Sequence, residues 1–150
     1  MTFGSLFAGI GGIDLGLERA GLKCSWQVEK DDYARRVLAK HWPDVPRYRD
    51  VRYFLGGKRW RANREAWAVD LVCGGFPCTD ISNAGKQAGI DGKQSGLWKE
   101  FARIVHLLRP RYVLVENVAA LLNRGLERVL SDLAACGYDA EWDCIPAAAV

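Results

Sequence analysis

Short runs of apolar and β-branched residues recur along this chain, separated by stretches long enough for a helix, and this alternation restricts its fold more than any other feature. Runs over 2–7, 24–28, 47–51, 70–73 and 112–115 read as strands, and a sixth can form over 140–145. Between them, Ile13, Gly16, Leu17 and Ala20 share one helical face, which Gly21 ends. Asp31 is placed to cap a helix through Ala34, Val37 and Leu38. Phe101, Ile104, Val105 and Leu108 mark a helix that stops at Pro110, and Leu126, Val129, Leu130 and Leu133 mark another, closed by Gly137. A polar helix over 58–68, carrying Lys58, Arg59, Arg61 and Arg64, reads as a solvated face sooner than as a phosphate contact. Strands joined by crossover helices pair in parallel, so the expectation is one α/β domain over 1–150 with a largely parallel sheet and helices on both faces.

Ligands of such sheets sit outside the carboxyl ends of the strands. The loop at Gly9, the acids Glu29 and Asp50, the loop around Cys78 and the pair Glu116-Asn117 all follow predicted strand ends and would share one rim. Phe7-Ala8-Gly9-Ile10-Gly11-Gly12 joins a strand to a helix, and its glycines would let the backbone approach a ligand near a helix N-terminus. A tight packing turn would look the same. The dinucleotide pattern G-x-G-x-x-G is not met, because Asp14 stands at its third glycine, which counts against NAD or FAD. Glu29 can accept hydrogen bonds from ribose hydroxyls, and as a lone strand-end acid it could equally face water. Loop and acid together favour a cofactor containing a nucleoside.

Five cysteines, at positions 24, 73, 78, 136 and 144, form an odd set with no C-x-x-C pair. A disulfide framework and a four-ligand zinc site therefore fit poorly, and no metal is expected. Free thiols in a reducing compartment are the simpler account. Cys73 lies inside an apolar run and belongs to the core, whereas Cys78 sits in Gly-Gly-Phe-Pro-Cys-Thr-Asp-Ile-Ser, on a strand-end loop whose flanks argue for the exposure a nucleophilic thiol needs. Glu116 ends a strand of Tyr, Val, Leu and Val, so its carboxyl would be half-enclosed, an environment in which a carboxylic acid keeps its proton. Nucleophile and proton donor at adjacent strand ends are the minimum for covalent acid catalysis on a heteroaromatic ring. No apolar run approaches a bilayer span and no secretory pattern opens the chain, so a soluble, cytoplasmic protein without a membrane partner is expected. A net charge of +3 and a pI near 8.6 permit a polyanionic partner without requiring one.

In order and spacing, Phe-Ala-Gly-Ile-Gly-Gly, then Gly-Gly-Phe-Pro-Cys with Ser82 and Gly85-Lys86-Gln87, then Glu116-Asn117-Val118 resemble the first, fourth and sixth motifs of the DNA cytosine-5 methyltransferase family. The resemblance extends across essentially the whole sequence. It implies the Rossmann-like fold of S-adenosylmethionine-dependent methyltransferases and transfer of a methyl group from S-adenosyl-L-methionine to C5 of cytosine in double-stranded DNA. Cys78 would attack C6 as a thiolate while Glu116 protonates N3, and the target base would be flipped from the duplex. Phe7, Gly9, Ile10, Gly11 and Gly12 would line the methionine and adenosine pocket. Glu29 would hold the ribose, Asp50 and Val51 would meet the adenine, and Pro77 and Leu97 would touch the cofactor. Ser82, Lys86 and Asn117 would face the substrate, on or beside a loop over 82–99 that closes on DNA. Two departures stand out: Lys30 replaces the aromatic residue that some members set against the adenine, and Thr79 stands where many carry glutamine.

The same resemblance implies that the sequence stops just before an arginine-bearing motif, and that the target-recognition region, the last strands and a late segment beside the first motif lie outside it. The fold would then be incomplete at its C-terminus, and a complementary polypeptide could supply the remainder. Restriction-modification, phage protection and regulatory methylation would share these residues. The alternatives are a methyltransferase acting on tRNA cytosine and a non-catalytic fragment that binds cofactor or a second chain.

Overall fold

The computed structural model of the chain describes residues 1–56, 64–77 and 97–146. The first strand, β1 (Thr2–Leu6), leads through the glycine loop to helix α1 (Gly12–Arg19), and β2 (Lys23–Val28) leads to α2 (Asp32–His41). A two-residue strand, β3 (Arg47–Tyr48), is followed by a 3-10 turn at Arg64–Trp67 and by β4 (Leu71–Gly75). Helix α3 (Trp98–Leu108), strand β5 (Tyr112–Glu116), a short helix α4 (Leu121–Arg124) and helix α5 (Leu126–Ala135) complete the order.

All four strand pairings are parallel, and the sheet order is β3-β2-β1-β4-β5. The chain thus builds outward from β1 in one direction, then returns to the other side of β1 to lay down β4 and β5. That reversal opens a crevice above the carboxyl ends of β1 and β4, where Leu6 pairs with Gly74. Both faces are covered over β1, β2 and β4, as the sequence predicts, whereas Tyr112 and Leu114 leave one face of β5 exposed. Alternation within the strands divides the core: Phe3, Cys24, Leu71 and Cys73 meet Leu38 and Trp42 on the side of α1 and α2. Leu6, Trp26, Val28 and Val72 meet Trp98, Phe101, Ile104 and Val105 of α3, with Val129 and Leu133 of α5, on the other.

Local signals explain the boundaries. Asp31 accepts a hydrogen bond from the Ala34 amide at 2.8 Å and so caps α2 as expected. Arg109 takes a left-handed conformation (φ 53°) that ends α3 before Pro110. On the α3 side, Trp26, Tyr48, Phe54 and Trp67 form a cluster of rings with centroids 4.8 to 5.5 Å apart, and the Trp26 indole donates to the Trp67 carbonyl.

Three expectations change. No strand forms over 140–145, where the residues are exposed and lack a paired neighbour strand. Of the polar helix expected over 58–68, the described part is the 3-10 turn, whose Arg64 donates to the Leu107 carbonyl at 2.9 Å; the rest lies outside the described residues. Asp14, weighed in the sequence only as a missing glycine, is fully buried in the first turn of α1. There it accepts hydrogen bonds at 2.9 Å from both the Ser5 hydroxyl of β1 and the Gln27 amide of β2.

Burial is the largest influence on the Asp14 carboxyl and raises its pKa above the ordinary 3.8, although both hydrogen bonds favour the ionised form. The folded state therefore holds this proton more tightly than the unfolded chain does, and the stabilisation that results is lost as pH rises through the raised value. Urea unfolding of the protein beside Asp14→Asn should show the difference in stability moving in favour of the native residue as pH falls from neutrality toward 3.8. Asp14→Ala, which leaves two buried donors unmatched, should lower stability by about 2–4 kcal/mol at neutral pH.

Candidate functional site

Above the crevice, the glycine loop is held by a single carboxylate. Glu29, immediately after β2, accepts from the Gly9 amide at 2.8 Å through Oε2 and from the Asp31 amide at 2.7 Å through Oε1. One side chain therefore fixes both the turn into α1 and the cap of α2. Gly11 enters α1 with φ 91°, and a Cβ there would also overlap the Trp42 ring, so both conformation and space call for glycine. Phe7 adopts φ 53°, an uncommon conformation for a non-glycine residue, as the chain leaves β1.

A cavity of about 390 Å³ lies beside this loop. Its walls include Phe7, Glu29, Asp50, Val51, Pro77 and Leu97, six of the residues expected at the cofactor, brought together from the ends of β1 and β2, the turn after β3, the segment after β4 and the start of α3. Gly9, Ile10, Gly11 and Gly12 do not line it; Gly9 adjoins it through Glu29, and the Ile10 side chain is largely exposed. A larger hollow of about 490 Å³ runs along β5, α4, α5 and residues 138–146, and of the expected site residues that are described only Asn117 lines it.

Sequence reasoning singled out Lys30 but missed the two arginines beside it. Lys30, Arg49 and Arg52 also line the cavity, so its two acids face a basic wall. Arg49 pairs with Asp32, and Arg52 grips Asp50, its Nη2 lying 2.5 Å from Oδ2. That grip holds the Asp50 carboxyl well below the usual range, at about 2. The signal available was local, since an arginine two residues from an aspartate can fold back on it within one turn. Also missed is Arg103 of α3, which donates to the carbonyls of Val51 and Phe54 at 3.0 and 2.9 Å and so pins the turn that forms the cavity wall.

At the next strand ends, Gly75 pairs with Glu116, and a Cβ at Gly75 would collide with the Glu116 carboxylate. The acid is exposed, and not half-enclosed as its strand suggested, because β5 is the last strand of the sheet among the described residues. Asn117, expected on the substrate side, uses its amide within the chain: Nδ2 donates to the Phe76 carbonyl at 2.9 Å, and Oδ1 accepts from the Val118 amide. It thereby fastens the end of β5 to Phe76-Pro77, the segment that enters position 78. Cys78, Ser82 and Lys86 lie outside the described residues. Among described cysteines, burial pushes the Cys73 thiol up to about 12 and raises Cys24 further still, so neither is a nucleophile. No group of three or more potential ligands among the described residues could hold a metal ion, and no described helix is long and apolar enough to cross a membrane.

Comparison with known proteins agrees with this architecture. The family model for C-5 cytosine-specific DNA methylases matches residues 1–150. The Type II methyltransferase M2.BsuMI of Bacillus subtilis is 41% identical over 140 residues, covering 86% of this chain and 34% of that protein. M.Eco47II of Escherichia coli is 38% identical over 128 residues, covering 85% and 30%. In three dimensions, a mutant of Spodoptera frugiperda DNMT2 superposes with a TM-score of 0.67 at 19% identity, over 90% of this chain and 41% of that one. The chain thus spans about a third of the length of the curated relatives it matches.

The role of Glu29 is open to direct test. Glu29→Ala should speed amide hydrogen exchange at Gly9 and Asp31 selectively and lower stability by about 1–2 kcal/mol. Glu29→Gln, which keeps one acceptor, should slow one of the two again. Equal exchange in all three proteins would remove the carboxylate as the fixing contact.

Proposed function

The chain belongs to the C-5 cytosine-specific DNA methylase family, and on that premise we propose that it forms the cofactor-binding and catalytic part of an enzyme that methylates C5 of cytosine in double-stranded DNA. The observation that carries this reading is the convergence of Phe7, Glu29, Asp50, Val51, Pro77 and Leu97 on one cavity, beside the strand ends that lead to Cys78 and carry Glu116. S-adenosyl-L-methionine, when bound, would supply an activated methyl group. The donor set suits it: two carboxylates of the cavity face a ligand rich in hydroxyl and amine donors, and Phe7, Val51, Pro77 and Leu97 offer apolar surface to its purine and its methionine chain.

In the proposed reaction the Cys78 thiolate adds to C6 of a flipped cytosine, and Glu116 gives a proton to N3, so that electron density gathers at C5. After C5 takes the methyl group, a base removes its remaining proton, the C5–H electron pair forms the C5–C6 double bond, the C6–S bonding pair leaves with sulfur as the Cys78 thiolate, and N3 returns its proton to Glu116, which restores the aromatic pyrimidine. Glu116 stands exposed at the end of β5, so the enclosure that favours its acid form would come from the bound base. Asn117 would act earlier in the sequence of causes, by fixing the approach to Cys78 through Phe76. Because the relatives are about three times as long, activity would call on further polypeptide for target recognition, in the same chain or a complementary one.

Incubation with S-adenosyl-L-methionine and a duplex containing 5-fluorocytosine traps such an adduct, since the fluorine cannot leave as a proton does. The expected result is a protein–DNA adduct by mass, absent in Cys78→Ser and formed about 10²-fold or more slowly in Glu116→Gln. An adduct retained in Cys78→Ser would overturn the assignment of the nucleophile. If no adduct forms even with segments of a relative added in trans, this chain is a binding fragment and not a catalytic one.

A further inference from the structure

We infer that Arg52 is a specificity-determining residue of the cofactor cavity, an internal ligand that occupies the Asp50 carboxylate and competes with the nucleobase for it. The inference rests on the proposed reading of that cavity as the site of an adenosine cofactor. Its starting point is how fully Asp50 is engaged. Three donors of Arg52 make four contacts with it: the backbone amide and Nε reach Oδ1 at 3.0 and 2.9 Å, while Nε and Nη2 reach Oδ2 at 3.1 and 2.5 Å. A carboxylate offers about four lone-pair positions, and here one residue two places along the chain takes up the capacity of both oxygens.

The grip is built into the turn. The Asp50 carbonyl accepts from the amides of Tyr53 and Phe54 at 3.1 Å each, and Arg103 holds the carbonyls of Val51 and Phe54 from the other side. The backbone on either side of Arg52 is therefore fixed, while the Arg52 side chain itself remains half exposed beside the cavity. A half-exposed guanidinium on a turn held through its backbone can leave the carboxylate without disturbing the wall. Lys30, also at the cavity, adds positive charge near Asp50 and works with Arg52 to keep it ionised.

The chemical consequence concerns the 6-position of the purine. An exocyclic amine is a donor and needs the Asp50 oxygens, so it must displace Arg52 from at least one of them. A 6-oxo purine is an acceptor at that position and can take a hydrogen bond from Arg52 while the ion pair stays intact. Arg52 thus narrows the preference for adenine that a free Asp50 would impose. Removing it should release the carboxylate and sharpen that preference, the reverse of what loss of a supporting contact would do.

S-adenosyl-L-homocysteine and its deaminated counterpart S-inosyl-L-homocysteine are the probes, titrated by calorimetry into the full chain and into Arg52→Ala, Arg52→Lys and Asp50→Asn. Arg52→Ala should raise the ratio of adenosyl to inosyl affinity about tenfold, with the adenosyl ligand binding more tightly than to the native protein. Arg52→Lys, which keeps the charge but not the fork, should fall between, and Asp50→Asn should bring the ratio close to one. An unchanged ratio in Arg52→Ala with both ligands bound, or an equal weakening of both, would overturn the inference and leave the cofactor reading standing. A native chain that is folded by its amide spectrum yet binds neither ligand would remove both.

Discussion

The hydrogen-bonded pairing of β1 with β4 is the contact on which the rest of this structure depends. It reverses the direction in which the sheet grows, so that the loops after β1 and β4 diverge and leave a crevice between them. The described acids at the strand ends take their positions relative to that crevice. Glu29 arrives through β2, one strand away on one side, and Glu116 through β5, one strand away on the other. The Asp14 carboxyl reinforces the arrangement from beneath, since it joins α1 to Ser5 of β1 and Gln27 of β2 with all three side chains buried.

Charged groups here serve the fold and the site together. Glu29 fixes the glycine loop and the α2 cap while lining the cavity, and Asp50 shapes a turn while presenting its carboxylate to the same space. Such double use explains why the cavity walls are ordered by interactions within the chain. It also means that a ligand would meet acids already partnered, whose strength as acceptors depends on how readily those partners yield. Arg103 extends this coupling to α3, whose preceding residue, Leu97, closes the cavity: movement of that helix would be felt at the Val51 and Phe54 carbonyls.

Much of the fold was legible because hydrophobic period and glycine placement are local. The run 112–115 reads as a strand from its own residues, and Asp31 declares the start of α2 without reference to anything distant. The expected strand over 140–145 failed for the complementary reason: an apolar pattern makes a strand only when a neighbour pairs with it, and none of the described strands does. Glu116 was misjudged in the same way, because the burial of a strand end depends on what stands beside it, and β5 has a partner on one side only among the described residues.

By itself the sequence determined the alternation of strand and helix, the glycine turn into α1, and the order of motifs that marks the family. Those features are written in residues close along the chain, where steric preference and period act directly. Tertiary structure alone decided that Asp14 is a buried link between two strands, that Glu29 anchors Gly9 twenty positions earlier, and that Arg103 grips a turn some fifty positions before it. The physical reason is that a hydrogen bond needs its partners within about 3 Å, and which distant groups come that close follows from the order of strands in the sheet.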